Sequence, residues 1–487
     1  MTTTQPGYGD LPATQDELGF APSATALTEI VLGAELADTP LTVGVYGPWG
    51  SGKTSLMRMI LTQLDDSRCT AIWFDAWRYA QQETLWRALL LCVVEALRTL
   101  VQYDTGWLDA YITHQNQRDP SMPQTALDDH GRAQTRTSIG RRLDDLVDSL
   151  YRSVDREEPG AIEFQWDKAG KLAVGTVIRA GFSYIPVLGG IAKAVEKAGE
   201  KAGEEDYAAQ IFDLFQRERT RISRDQVQSL EQFHHGLTDL VNELVTTLNR
   251  RLVVFIDDLD RCLPEQAIGV LEAIKVFLDI QGCVFVLGVD REIIERGIRV
   301  RYKEFALAGD ASGVFPVAER DYLEKIVQIP FALPPLAPNT MSAFLCSRLP
   351  SVLDTEGDVA LVAALMTAGL QRNPRKVKRS FNIFRLHMSL DRAHGRQTAA
   401  GRIAKLTVIQ TSFADLYERI ARDPLVLRQV EQIVRGMPGA GAIAQELRDA
   451  VGTSDPRLKE MLFLSPFFDT LSDDALRDLV YQSRVTG

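Results

Sequence analysis

An open, doubly wound parallel α/β sheet is the fold this sequence predicts, and three observations predict it. The apolar run Leu41-Thr42-Val43-Gly44-Val45-Tyr46 passes through a glycine-rich turn, Gly47-Pro48-Trp49-Gly50-Ser51-Gly52, into the helix-prone Lys53-Thr54-Ser55-Leu56-Met57. A second apolar run, Val253-Val254-Phe255-Ile256, ends in Asp257-Asp258-Leu259-Asp260. Around both, strand-like runs alternate with helical patterns, as parallel strands joined by crossover helices require.

Residues 1–22, rich in Thr, Gly, Pro and Asp, read as a flexible lead-in. Ser23 to Asp38 reads as a helix, with Ser23 as N-cap and Leu27, Ile30, Val31 and Leu36 as its apolar positions. The strand, turn and helix that follow have the order of a P-loop. Its glycines let successive N–H groups turn toward phosphate oxygens, and the helix adds its positive N-terminal end. Gly47, Pro48, Trp49, Gly50, Ser51, Gly52, Lys53, Thr54 and Ser55 are the expected nucleotide-binding set. Lys53 should reach the β- and γ-phosphates, and the Thr54 hydroxyl should join a Mg²⁺ shell.

Thr70 to Phe74 is a short strand, and a helix is expected from about Glu83 to Val101, carrying Leu85, Trp86, Leu89, Val93 and Leu97. Core packing is the preferred reading of Trp77 and Trp86 over base stacking. The next strong strand begins only at Arg251, so residues 102–235 read as an insertion, mostly helical and partly disordered. Within it, 113–142 is polar and loop-like, Gly170 to Ala194 is apolar, and Lys193 to Arg224 is charged and helix-prone. Residues 170–197 are the membrane candidate. Arg179 splits the stretch into runs well short of the ~20 residues a spanning helix needs, so a buried or partner-facing hairpin is favoured.

The strand Arg251 to Ile256 delivers carboxylates to the ligand edge of the sheet, the second half of a nucleotide site. Asp257 should hold Mg²⁺, and Asp258 should orient and deprotonate the attacking water. Asp260 reads as a cap for the following helix, without a catalytic role. Cys283 to Val289 and Ile326 to Phe331 bring the strands to five, completing a P-loop core of the additional-strand type in two parts, 23–101 and 236–335. Asp290 and Arg291 end the fourth strand, where a γ-phosphate sensor and a surface turn are equally good readings. Beyond a proline-rich junction, residues 336–487 read as a C-terminal helical lid and extension, with helices at Ser342–Leu349, Asp358–Leu370, Pro374–Leu390 and Thr398–Arg422. From Gln371 to Lys405 the chain holds ten Arg and Lys against one acid, Asp391. A lid with Arg375 as a phosphate sensor is preferred to a solvated face, and both to a nucleic-acid surface.

A chain of 487 residues allows about three domains, and 45% apolar with 24% charged residues is ordinary globular composition. The net charge of −11 argues against indiscriminate coating of DNA. Five scattered cysteines without CxxC spacing favour reduced thiols and a cytoplasmic setting over a disulfide frame or zinc site.

Six blocks in order, GPWGSGKTSL (47–56), FDAWRY (74–79), VVFIDDLDRC (253–262), FVLGVDR (285–291), YLEKIVQIPF (322–331) and NPRKVKRSFN (373–382), resemble KAP-type P-loop NTPases over roughly residues 20–395. The resemblance implies paired acidic residues at the Walker-B position, a helical lid and an insertion between the nucleotide motifs that often carries transmembrane helices. It also implies a setting in phage exclusion and other bacterial defence operons, with partner proteins encoded alongside and a homo-oligomer or hetero-complex as the assembly.

Taken together, the residues point to a Mg²⁺-dependent ATPase or GTPase that drives assembly or a partner, with Lys53, Asp258 and Arg375 as catalytic residues and Thr54 and Asp257 on the metal. ATP is favoured because no guanine-specific NKxD motif is evident. An arginine finger would come from a neighbouring subunit, with Arg261 or Arg291 as candidates. Two other classes stay open: a nucleotide-gated scaffold with little turnover, and a motor whose ATPase is stimulated by nucleic acid.

Overall fold

The computed structural model describes residues 16–65, 67–80, 85–118, 120–121, 123–152, 231–277, 279–301, 319–437, 445–452 and 455–486. Five strands, β1 (Leu41–Tyr46), β2 (Cys69–Asp75), β3 (Arg251–Asp257), β4 (Cys283–Val289) and β5 (Ile329–Ala332), form one sheet in the order β2-β3-β4-β1-β5. Every pairing is parallel. β3 and β4 are buried along their whole length, which is why they read as unbroken apolar runs. Their residues alternate between two cores. Leu252, Val254, Ile256, Phe285 and Leu287 face one side, packed against the helix Leu85–Tyr103. Val253, Phe255, Val284 and Val286 face the other, against the P-loop helix Lys53–Gln63 and the helix Ala21–Gly33.

The first helix starts at Ala21, with Pro22 in its first turn, so Ser23 lies inside it and is not its cap. Asp16 takes over the N-terminal role by accepting N–H bonds from Leu18, Phe20 and Ala21. Leu27 and Val31 are buried as expected, whereas Ile30 is exposed and Leu36 falls in a separate 3₁₀ turn. Strand β5 is shorter than expected: Ile326 closes the preceding helix Glu319–Ile326, and pairing begins at Ile329.

Much of the polar stretch 113–142 is helical rather than loop-like, through the helices Thr105–Arg118 and Asp129–Arg152, with residues 123–128 non-helical between them. Polar composition hid the pattern, but Ile139, Leu143, Leu146 and Leu150 recur at helical spacing and are buried with Trp107 and Leu108 in the core under the sheet. Arg132 clamps Asp109 with two hydrogen bonds of 2.8 and 2.9 Å, tying the two helices together. Phe233 and Leu237, in the helix 231–244, join the same core. The stretches 170–197 and 193–224 lie outside the described residues. No described helix is long and apolar enough to cross a membrane.

The C-terminal helices have a core of their own, around Phe344, Leu365, Phe381, Phe384, Leu406 and Leu462. The single helix expected from Thr398 to Arg422 is two, Ala400–Ser412 and Ala414–Arg422, broken at Phe413. All five cysteines are unpaired thiols.

Candidate functional site

At the end of β1 the chain turns through Gly50 and Gly52, whose φ angles of +79° and +108° are open to glycine and strained for other residues. Gly52 also lets the Phe20 ring close in: an added Cβ would stand 2.7 Å from it. The helix from Lys53 then directs its free N–H groups at the cleft. Lys53 is buried, and its ammonium donates to the Gly47 carbonyl at 2.9 Å and to Asp260 Oδ2 at 3.1 Å. The Ser51 hydroxyl oxygen is buried with no hydrogen-bond partner.

Asp257 ends β3 level with Asp75 of β2. Its carboxylate is buried and accepts from the Thr54 hydroxyl, while Oδ1 has no partner. Burial pushes its carboxyl above the usual aspartate range, against the opposing pull of the Thr54 bond and Lys53. The P-loop and the acidic strand end therefore meet through Thr54–Asp257 and Lys53–Asp260. Gly288 on β4 makes the room: an added Cβ would lie 2.5 Å from Met57 Sδ and 2.9 Å from Asp257 Oδ1. Nothing in the sequence near Gly288 flagged it, since a glycine inside a strand has many meanings.

Asp258 stands at φ +56°, a left-handed conformation uncommon outside glycine. Its carboxylate meets the Arg261 guanidinium at 2.7 Å. Burial, reinforced by Asp257, opposed by Arg261 and further raised by Asp75 and Asp260, pushes its carboxyl up to about 6. Asp260, expected only to cap a helix, instead holds Lys53 and accepts the Asp290 N–H at 3.0 Å. It is thus a bridge between the P-loop lysine and the end of β4. Asp290 itself caps the following helix at Glu292. Arg291 is taken up by Glu295 at 2.7 Å and lies over Tyr46.

The helix Pro374–Ala393 docks its N-terminus directly on the P-loop. Asn373 accepts from the Arg375 and Lys376 N–H groups and donates its amide to the Trp49 carbonyl at 2.9 Å. The Arg375 N–H bonds the Gly50 carbonyl at 3.3 Å, and its guanidinium lies 5.0 Å from the Trp49 ring centre. Phe20, Lys53, Thr54, Asp258, Arg261 and Arg375 line one cleft. Arg375 is therefore beside the glycine turn, delivered there by Asn373, which sequence reasoning missed.

Trp77 is 57% exposed, contrary to its expected core role, whereas Trp86 packs half-buried against the core. Four of the ten basic side chains in the run 371–405 have these partners within the fold: Arg392 meets Asp354, Arg396 meets Asp478, Arg402 meets the Phe467 carbonyl, and Lys405 is buried against Glu431.

A divalent ion is testable against this donor set. Among the described residues, no group of three or more His, Cys, Asp or Glu side chains could hold a metal. Mg²⁺ is usually held by one or two protein oxygens plus phosphates and water, and the unpartnered Oδ1 of Asp257 beside Thr54 fits that pattern. Comparison with known families matches residues 20–390 to the KAP family P-loop domain. No curated protein matches the chain.

Proposed function

The chain belongs to the KAP family of P-loop domains, and from that premise we propose that it is a Mg²⁺-dependent nucleoside triphosphatase, with ATP as its nucleotide. The observation that supports the proposal is that Lys53, Thr54 and Asp258 line one cleft with the glycine turn, with the buried Asp257 set against Thr54. The turn's N–H groups and Lys53 would bind the β- and γ-phosphates, and Arg375 would reach them from the lid. Thr54 and Asp257 would hold the metal, which supplies charge neutralisation on the phosphate oxygens. Asp258, poised near neutrality, is the proton acceptor for the attacking water.

Turnover would be coupled to partner proteins, in a defence setting like that of bacterial members of the family. A slow nucleotide switch uses the same residues. The pairing of Lys53 with Asp260 and of Asp258 with Arg261 favours it as the second reading, because both groups must change partners before hydrolysis. Steady-state phosphate release from the purified chain tests both. Repeated turnover that Asp258→Asn abolishes, with nucleotide affinity retained, supports the hydrolase. Undiminished turnover in Asp258→Asn refutes the assignment, and a single turnover per chain favours the switch.

A further inference from the structure

Two exposed tryptophans meet the cleft arginine Arg261: Trp49, which lines the cleft, and Trp77, which stands beside Arg261. Trp49, inside the glycine turn, and Trp77, in the 3₁₀ turn Ala76–Tyr79 after β2, are each 57% exposed. Here they flank a cation. The Arg261 guanidinium lies 5.1 Å from the Trp77 ring centre and 5.9 Å from that of Trp49, while Arg375 stands 5.0 Å from the Trp49 ring. The order is ring, guanidinium, ring, guanidinium, and it ends at the lid.

Trp77 is fixed for this role from below. Asp75 caps its turn through the Arg78 N–H, and the Ala80 carbonyl just beyond accepts from Gln266. Arg261 is fixed by its own short turn, Leu259–Arg261. A guanidinium flanked by two aromatic faces keeps its plane but can turn its edge. One nitrogen of that edge donates to Asp258 Oδ1 at 2.7 Å. The Nε–H is buried and has no hydrogen-bond partner. An arginine lining the same cleft as Lys53 and Thr54, with a buried donor unspent, is built to take another oxyanion.

We propose that Arg261 senses the γ-phosphate from within its own chain. Held between Trp49 and Trp77, it exchanges the Asp258 carboxylate for the terminal phosphate of the bound triphosphate. The exchange frees Asp258 for the water and couples proton acceptance to the presence of a γ-phosphate. In the step so released, the water oxygen bonds the γ-phosphorus. The bond to the β–γ bridging oxygen breaks, with its electron pair leaving on the diphosphate, and the water proton passes to Asp258. This rests on the nucleotidase reading above and adds a cis arginine and its aromatic clamp. Arg291, the other arginine at the strand ends, is committed to Glu295 and Tyr46.

The test compares the affinities of the full chain for ADP and for a non-hydrolysable ATP analogue, both with Mg²⁺, alongside phosphate release. Arg261→Gln should leave ADP affinity within about three-fold and lower the preference for triphosphate by about ten-fold or more. It should also lower kcat by about a hundred-fold, the scale of losing one positioned donor. Trp77→Ala should take about three-fold off the triphosphate preference, and Trp77→Phe should return most of it. An equal loss of both affinities in Arg261→Gln, or an unchanged preference, overturns the proposal.

Mixing Arg261→Gln with Asp258→Asn chains should restore no activity, and recovery in the mixture would overturn the cis assignment. If Arg261→Gln does not fold, the Trp77 pair decides by the same ratio. Wild-type chain that binds neither nucleotide would refute the nucleotidase reading itself. Wild-type chain that binds and hydrolyses while Arg261→Gln matches it refutes only this one.

Discussion

Asp260 offers the sharpest check on how the cleft is held. Its carboxylate lies 3.1 Å from the Lys53 ammonium, and the two side chains are only 3% and 7% exposed. At that distance, and at an effective dielectric of about 20, the attraction is worth about 5 kcal/mol before desolvation is subtracted. Removing one charge from such a pair typically costs about 3–5 kcal/mol. Gly47 continues to accept from Lys53, and an amide at 260 can still accept the Asp290 N–H. Asp260→Asn should therefore destabilise by about 3 kcal/mol, the low end of that range.

The six tryptophans all precede residue 236, so fluorescence-detected urea unfolding reports the nucleotide-binding part without the C-terminal helices. A second expectation has the opposite sign. A triphosphate must win Lys53 from Asp260, so the variant should bind the ATP analogue several-fold more tightly and gain more stability from it than wild type does. Unfolding within about 0.5 kcal/mol of wild type would refute the buried-pair argument. Affinity lowered ten-fold or more would show that Asp260 binds nucleotide or metal instead of competing with it.

Gly288→Ala places a Cβ against Met57 Sδ and Asp257 Oδ1. Met57 can yield but the carboxylate cannot, so kcat should fall at least ten-fold with a stability loss of about 1–3 kcal/mol, read by phosphate release and urea midpoints. His387 is buried against Thr407, and burial pushes its imidazole down to about 4. Its folded value lies below the unfolded one of about 6.5, so stability is intact above that value and is lost as pH falls toward 4, by about 2 kcal/mol between pH 7 and pH 5. Far-UV circular dichroism should show this loss shrink in His387→Gln. In the same helical core, Lys405→Met and Glu431→Gln each strand a buried charge and should cost about 3–5 kcal/mol. The double variant should cost about 2 kcal/mol less than their sum, because a glutamine there still accepts the Phe468 N–H.

The sheet was legible because its physics is local. Strands buried on both faces must be apolar throughout, and Cys283 to Val289 read that way to the residue. The P-loop was legible for a similar reason, since glycine at 50 and 52 answers to backbone angles that the turn itself imposes. Where stability comes from distant contacts, the reading failed. Residues 113–142 are polar on most faces, and what orders that stretch includes contacts far along the chain: the Leu244 carbonyl accepts from Trp107, and Glu243 meets both Tyr111 and Arg142. Ser23 was misread because a good capping residue is available at many positions, and Pro22 and Asp16 decided the start.

The acidic turn shows where sequence runs out and geometry begins. Three aspartates within four residues offer the same charge and the same reach, and their order alone does not show which of them Lys53 meets. The ranking comes from one backbone angle. With Asp258 at φ +56°, the chain after β3 coils at once into Leu259–Arg261, which aims Asp260 at Lys53 and Arg261 at Asp258. An extended Asp258 would carry Asp260 past the cleft, as a cap for the helix Pro264–Phe277, the role its position suggested. The left-handed residue costs of order 1–3 kcal/mol, and strain of that size persists where surrounding contacts over-determine it. Here two ion pairs do so, Lys53 with Asp260 and Arg261 with Asp258, and in each the proposed function has a triphosphate displace the carboxylate. On the proposed function, the strain and the counter-ions are parts of one device, a turn that the charge of a bound nucleotide would unlock.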